Sequence, residues 1–348
     1  MPYIVKYSIK RIGLLIVTAF IILSITFFLV KMLPEGALPS NEAAAYAFCQ
    51  DQVAKGFYIG LSAPTEQYGK MVFTITTAGK SVYFYRNPII IQYGSWIKGI
   101  FTQWDWGVSS AISPQTDAIS IIFERLKPTI IINIVALIIS LPLGFIFGIL
   151  AALKKNTVTD NVISTVVMIF ISVPSFVVIS LLMLLFCYSN NILPNSWPSD
   201  GASIGAYAKA MVIPVMALCF GTVAVFTRYT RAELTEVMSS EFLLLARTKG
   251  LSKTQCVVRH ALRNSMVPII PMIIGQFIGI LSGSMVLEQL YSINGIGQLF
   301  VTCITKMDYN VLLVDMTVYT MIGLVANLLV DLSYGIVDPR IRMGAKAA

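Results

Sequence analysis

Six stretches of this chain run for about 20 residues with almost no charge, and a helix rising 1.5 Å per residue needs about that length to cross the hydrocarbon of a bilayer. They are residues 12–30, 128–153, 161–188, 210–227, 264–287 and 312–337, the last carrying Asp315 and Asp331. Such runs cannot all be covered within one small soluble domain. The composition agrees, with 56% hydrophobic and 12% charged residues in 348, where soluble domains hold about 25% charged residues. A soluble enzyme and a disordered chain are both excluded, because this much apolar surface must be buried and lipid is the available solvent.

The first stretch follows Lys6, Lys10 and Arg11 and is too long for the apolar core of a signal peptide, so it reads as a retained helix. The net charge of +8 acquires its meaning from where the basic residues lie. Lys6, Lys10, Arg11, Lys154, Lys155, Arg228, Arg231, Arg247, Lys249, Lys253, Arg259, Arg263, Arg340, Arg342 and Lys346 all fall on one side of a six-span topology. That side is the cytoplasm by the positive-inside rule, with both termini inside. The charge is a topological signal, and no nucleic-acid partner is expected. Five cysteines without a CxxC pair and the single His260 give no set of metal ligands, so no metal site is expected.

Outside the spans, residues 34–127 form the one sizeable external piece. Met71–Thr76 and Ser81–Tyr85 are β-branched and aromatic runs separated by Thr77-Ala-Gly-Lys80, the pattern of a hairpin. Pro88 to Trp106 reads as helical, either lying in the membrane interface with Trp96, Trp104 and Trp106 as anchors or packed into the cap.

On the inner side, the loop 228–263 carries helix signals. Ser239 or Ser240 can cap an N-terminus, Glu241 suits the positive first turn, Arg247 and Lys249 suit the negative last turn, and Gly250 can supply the left-handed residue after it. Ser252-Lys-Thr-Gln255 is a capping box that opens a second helix into the fifth span. The short first helix presents Phe242, Leu243, Leu245 and Ala246, an apolar face that must be covered by lipid, by its own bundle or by a cytosolic partner. Within the spans, Gly275, Gly279 and Gly283, and likewise Gly144 and Gly148, recur every four residues, a spacing that lets helices approach closely within the chain or at a seam between subunits. Asp331, one turn after Asn327, is an intramembrane carboxylate with either a structural role, paired with Asn327 or a cytosolic-side Arg, or a functional one.

The loop sequence Ala246-Arg-Thr-Lys-Gly-Leu251 with Arg259-His-Ala-Leu-Arg-Asn264 and Pro268 resembles the EAA-type loop of ABC importer permeases. Gly283-Ser-Met-Val-Leu-Glu288, Gly295-Ile-Gly297, Asp308-Tyr309, Asn327 through Tyr334 and Asp338-Pro-Arg-Ile-Arg342 together look like the OppB/DppB-type permeases of oligopeptide and dipeptide importers. Glu124–Thr129, Pro174-Ser-Phe176, Pro88, Gln92-Tyr93, Trp96 and Asp105-Trp-Gly107 fit the same family, whereas residues 49–86 look like an insertion. The resemblance implies an all-α polytopic membrane protein of six transmembrane helices. A small external α+β cap would lie between helices 1 and 2, and a cytoplasmic coupling helix between helices 4 and 5.

Its parts would be residues 1–33 with the first span, the cap 34–127, an importer transmembrane domain 128–342 containing the coupling loop 228–263, and a tail 343–348. It would sit in a bacterial inner membrane beside a second, homologous permease, two ABC ATPases and an extracytoplasmic peptide-binding protein. ATP and Mg would be bound by the ATPases, since this chain has no GxxxxGK[ST] phosphate cradle and is expected to be non-catalytic. Glu241, Phe242, Leu245, Ala246, Arg247, Lys249, Gly250 and Leu251 would dock on the ATPase. Dipeptides, nickel or glutathione are alternative cargoes, and an ion-coupled carrier using Asp315 and Asp331 is the competing class.

Overall fold

The structure is a computed structural model that describes residues 3–34, 38–77, 80–279 and 283–337. The motif Asp338–Arg342 and the tail 343–348 lie outside the described residues. In chain order the elements are α1 (Tyr3–Lys31), α2 (Glu42–Ala54), β1 (Tyr58–Leu61), β2 (Met71–Thr77), β3 (Lys80–Arg86), α3 (Ile89–Gln103) and α4 (Ala118–Leu153). There follow α5 (Val158–Ser172), α6 (Ser175–Met183), α7 (Ile204–Met238), α8 (Glu241–Thr248), α9 (Lys253–Cys256), α10 (Leu262–Gly279), α11 (Met285–Leu290), α12 (Ile296–Thr305) and α13 (Tyr309–Val337). Two π turns, Leu184–Tyr188 and Val257–Ala261, extend α6 and join α9 to α10.

Five helices are long and apolar enough to cross a membrane, and the pair α5 and α6, bent by 95° at its break, makes a sixth if it is counted as one span. The helix expected over 161–188 is therefore broken in two, and the cause is local. Pro174 has no N–H to continue the ladder, and it drives Val173 out of the helical region to φ −91°, ψ 119°. Charges did not interrupt the span, but backbone geometry did. Other boundaries move as well. Ala118–Lys127, assigned to the cap, are the first turns of α4, and residues 228–238 of the expected loop belong to α7.

The chain divides into two compact units. One holds Ile16–Leu126 and Leu299–Met321 and contains the cap. Its sheet has the order β1-β3-β2, antiparallel throughout, and the predicted hairpin is the β2–β3 pair, with its turn residues 78 and 79 outside the described set. The strand β1 and helix α2 were not anticipated. Asn41 caps α2 by accepting the Ala43 N–H at 2.9 Å, and Ala45, Phe48 and Cys49 are buried, with Tyr46 against the Phe84 ring at 5.9 Å. Burial pushes the Cys49 thiol up to about 12, and Cys49 and Cys303 are both free.

Of the two readings left open for α3, Trp96 follows the packed one. Trp96 is buried against Phe27 of α1, with ring centroids 5.0 Å apart, and Tyr93 shares a 2.6 Å hydroxyl hydrogen bond with Ser24. Trp96 is thus part of the core and only Trp104, the left-handed residue that ends α3, is largely exposed. In the same unit, one carboxylate oxygen of buried Asp308 accepts the Ser109 hydroxyl at 2.6 Å and the N–H groups of Ser110, Ala111 and Ile112 at 3.1, 2.9 and 3.0 Å. This fastens the 109–112 turn to the start of α13.

Candidate functional site: the short helix between the fourth and fifth spans

The other unit holds Met1–Leu15, Lys127–Gln298 and Ile322–Ala348, and within it α8 is built as the sequence signals require, with one change. Ser239 ends α7, and the Ser240 hydroxyl bonds back to the Val237 carbonyl at 2.5 Å instead of capping α8. Glu241 opens the helix. At the other end Gly250 takes φ +88°, and the Leu251 N–H reaches the Ala246 carbonyl at 3.4 Å, the long bond of a Schellman ending. The Ser252 N–H donates to Gln255 Oε1 at 3.0 Å while the Gln255 N–H donates to Ser252 Oγ at 3.3 Å, a complete capping box. Every turn of this segment is specified by its own residues.

The amphipathic face divides in two. Leu243 and Ala246 are buried in a cluster with Ala152 of α4, Leu234 of α7, Cys256 of α9 and Ala261 of the following π turn. Burying one leucine contributes about 1.5–3 kcal/mol, so this contact seats α8 on the ends of three long elements. Phe242, Leu244 and Leu245 remain 42, 64 and 57% exposed. Of the residues expected to meet an ATPase, Glu241, Phe242, Leu245, Lys249 and Gly250 are exposed. Ala246 faces the bundle and Leu251 packs at the edge of the same cluster. The Arg247 side chain lies outside the described residues. Leu244, exposed beside Phe242 and Leu245, is not among the residues expected on the apolar face.

The elements under α8 are locked together. Arg231 of α7 holds buried Asp160 of α5 in a two-point contact of 2.5 and 2.8 Å, and Asp160 also accepts the Asn156 N–H at 2.9 Å. A bidentate guanidinium–carboxylate pair fixes orientation as well as distance. Gly144 and Gly148 lie against α7. A Cβ on Gly148 would stand 2.5 Å from the Thr230 Cβ and 2.9 Å from the Thr227 carbonyl, and one on Gly144 would stand 2.7 Å from the Phe226 Cβ. These two glycines are where α4 and α7 meet backbone to backbone.

The second glycine series does not form one stripe. Gly275 faces Val330 of α13 in ordinary contact, Gly279 has open space beside it, and Gly283 lies outside the helix at φ +63°. Gly283, with a left-handed backbone, is not in register with the helix of Gly275 and Gly279, so the expectation that all three recur on one helix is corrected. Gly283 instead joins Gly295 and Gly297 in a tight cradle around buried Glu288, where added side chains would collide with the carboxylate, with Thr129 or with the Met285 backbone. Thr129 of α4 donates its hydroxyl to Glu288 at 2.9 Å and accepts the Ile296 N–H at 3.1 Å, while the Gln298 N–H reaches Glu288 at 3.1 Å. Burial pushes the Glu288 carboxyl above its ordinary value, with the hydrogen bonds pulling the other way. The sequence showed Glu288 and Thr129 only as parts of separate motifs; the fold makes them one clasp.

Asp331 forms an ion pair of 2.8 Å with Arg11 of α1, the cytosolic-side arginine that the sequence allowed as a partner, while Asn327 is exposed. Asp315 is fully buried.

A family described as "Binding-protein-dependent transport system inner membrane component" matches residues 144–343. The chain is 34% identical to the dipeptide transport system permease protein DppB of Lactococcus lactis subsp. cremoris, over 97% of this chain and all of that protein. It is 29% identical to the oligopeptide transport system permease protein OppB of Salmonella typhimurium, over 97% and 99% respectively. Both matches span the cap. A solved structure of the MetNI methionine ABC transporter in inward-facing conformations superposes with a TM-score of 0.50 at 14% identity, covering 63% of this chain and 97% of that one, which is a likeness of fold. The chain is a multi-pass inner-membrane protein and belongs to the family of binding-protein-dependent transport system inner membrane components.

Proposed function

We propose that this chain is the permease subunit of an ATP-driven importer of short peptides and that α8 is the element through which ATPase motion enters the membrane. The relatives named as dipeptide and oligopeptide permeases support the cargo class. A subunit of a binding-protein-dependent ABC transporter works with an ATPase and a binding protein; here two ATPases and a second, similar permease complete the complex, with ATP and Mg bound in the ATPases. Both termini lie in the cytoplasm, as the distribution of Lys and Arg supports.

The exposed Phe242, Leu244 and Leu245 carry the reading of α8. Three apolar side chains stand free on a helix whose opposite face is anchored to α4, α7 and α9. A partner gripping the free face moves the anchored ends with it. The shift requires contacts that differ between two states, since a partner that binds both equally well changes nothing. Glu241, Phe242, Leu245, Lys249 and Gly250 offer those contacts directly, while Ala246 and Leu251 hold the helix in place, so Ala246→Asp tests the seat and Leu245→Asp tests the docking.

The test is uptake of a labelled dipeptide and of a labelled hexapeptide by the reconstituted complex carrying Leu245→Asp. We expect at least a tenfold loss of uptake, with ATP hydrolysis no longer stimulated by loaded binding protein and the melting temperature of the complex unchanged. Normal uptake in that variant removes α8 from the mechanism. The ion-coupled alternative is disfavoured by Asp331, whose charge Arg11 already balances.

A further inference from the structure

The cap unit contains a cavity of about 370 Å³, within the size range of small-molecule sites, about 300–1,000 Å³. Two cations line it, Lys31 at the end of α1 and Arg86 at the end of β3, together with the polar side chains of Gln52, Asn87 and Tyr68. Among the described residues that line it there is no Asp or Glu. The Lys31 ammonium lies 5.5 Å from the Phe27 ring and 5.0 Å from the Phe57 ring, contacts that favour a cation through the ring faces, while burial and the nearby Arg86 charge act against it.

A second cavity in the same unit provides the contrast. There Lys55 is held by Asp51 at 3.2 Å and by Asp105 at 3.0 Å, so its charge is balanced from within the chain. Two like charges left around one concave, half-buried space repel each other and raise the local potential for an anion. The Asn87 and Gln52 NH2 groups already donate to the Gly56 and Tyr58 carbonyls and to Asp51, so the amides offer their oxygens as acceptors and the Tyr68 hydroxyl can donate or accept, which suits a peptide unit next to a carboxylate. The start of α13 also reaches this cavity, through Tyr309 and Asn310, so an occupant touches the ends of two membrane-crossing helices.

We infer that this cavity binds the C-terminal carboxylate end of a short peptide, with Arg86 and Lys31 holding the carboxylate. Arg86 can take it in two parallel hydrogen bonds, and Lys31 adds a point charge. The inference deepens the proposed function by placing a cargo contact in the cap, and it rests on that reading for the identity of the ligand as a peptide.

The experiment measures binding of tri-alanine and of tri-alanine amide to the purified complex in lipid nanodiscs without the binding protein, beside uptake by the same complex. Tri-alanine should bind at least tenfold more tightly than the amide. Arg86→Gln and Lys31→Met should each lose that difference, while Arg86→Lys, which keeps the charge, should retain most of it. Lys98→Gln, a cation of the second cavity, should change nothing. Uptake at limiting peptide should fall with the binding. Equal affinity for acid and amide, or binding unaffected by both Arg86→Gln and Lys31→Met, overturns the inference. If the wild-type complex imports peptide while the acid and amide bind alike, only the cavity assignment fails. If the cavity discriminates acid from amide but the complex imports no peptide, the cargo reading fails and the carboxylate site stands.

Discussion

Asp160 and Arg231, the latter three residues from the seat of α8 at Leu234, form a closed pair in which the buried acid takes its partners Arg231, Asn156 and Ser164 from the protein. In the cap, Lys31 and Arg86 face a cavity with no acid among the described residues that line it. A buried charge that is fully paired holds neighbouring helices in one arrangement, whereas half-buried charges left open keep free energy available for a ligand. The bundle spends its ionic contacts on rigidity beneath the helix that must transmit force. The cap leaves two of its cations available on the surface of a cavity.

The contrast can be broken most sharply at the closed pair. Arg231→Met would leave Asp160 buried without its counter-charge and should cost about 3 kcal/mol, toward the low end for a broken buried pair because the arginine is partly exposed. Thermal unfolding of the purified chain reads this out. The double variant with Asp160→Asn should recover part of the loss, and a neutral single variant would show that the pair does not lock α5 to α7. Next in size is Ala246→Asp, which puts a carboxylate into the cluster of Leu234, Cys256 and Ala261 and should cost about 2 kcal/mol by desolvation. Leu245→Asp, one residue away on the exposed face, should stay within about 0.5 kcal/mol of wild type. Equal destabilisation by the two would erase the division between seat and docking face.

Gly148→Ala should cost about 1–2 kcal/mol by forcing α4 from α7, while Gly279→Ala, beside open space, should be neutral. A reversed order would place the close helix contact elsewhere. The smallest effect is expected in the cap. Burial acts to lower the Lys55 pKa, but its hydrogen bond to Asp105 and the charges of Asp51 and Asp105 together raise it above the ordinary lysine value. A raised folded-state pKa contributes stability that is complete below the unfolded value near 10.4 and lost as pH rises through the folded one. Cap stability, followed by the fluorescence of buried Trp96, should therefore decline slightly above about pH 10, and less so in Lys55→Met. An equal decline in both would assign it to other groups.

Much of the candidate site was legible because its signals are local. Gly250, Ser252 and Gln255 perform the turn and cap roles their spacing predicts, since these geometries depend on a few neighbouring residues. Asn41 followed by Glu42 is an equally plain local signal for a helix start, and Pro174 for the break between α5 and α6. The clasp of Glu288 with Thr129 had no such signal, because its members are 159 residues apart.

Sequence alone determined the rough positions of the hydrophobic helices, the hairpin of the cap and the existence of α8, because hydropathy, alternation and capping act over a few residues. Tertiary structure alone decided which side of α8 is seated and which is free, which glycines touch a neighbour, that Asp331 pairs with Arg11, and that Lys31 and Arg86 share one cavity. Those outcomes depend on surfaces and charges that come together only when distant segments pack, where the cost of an unpaired or colliding group is set by whatever lies opposite.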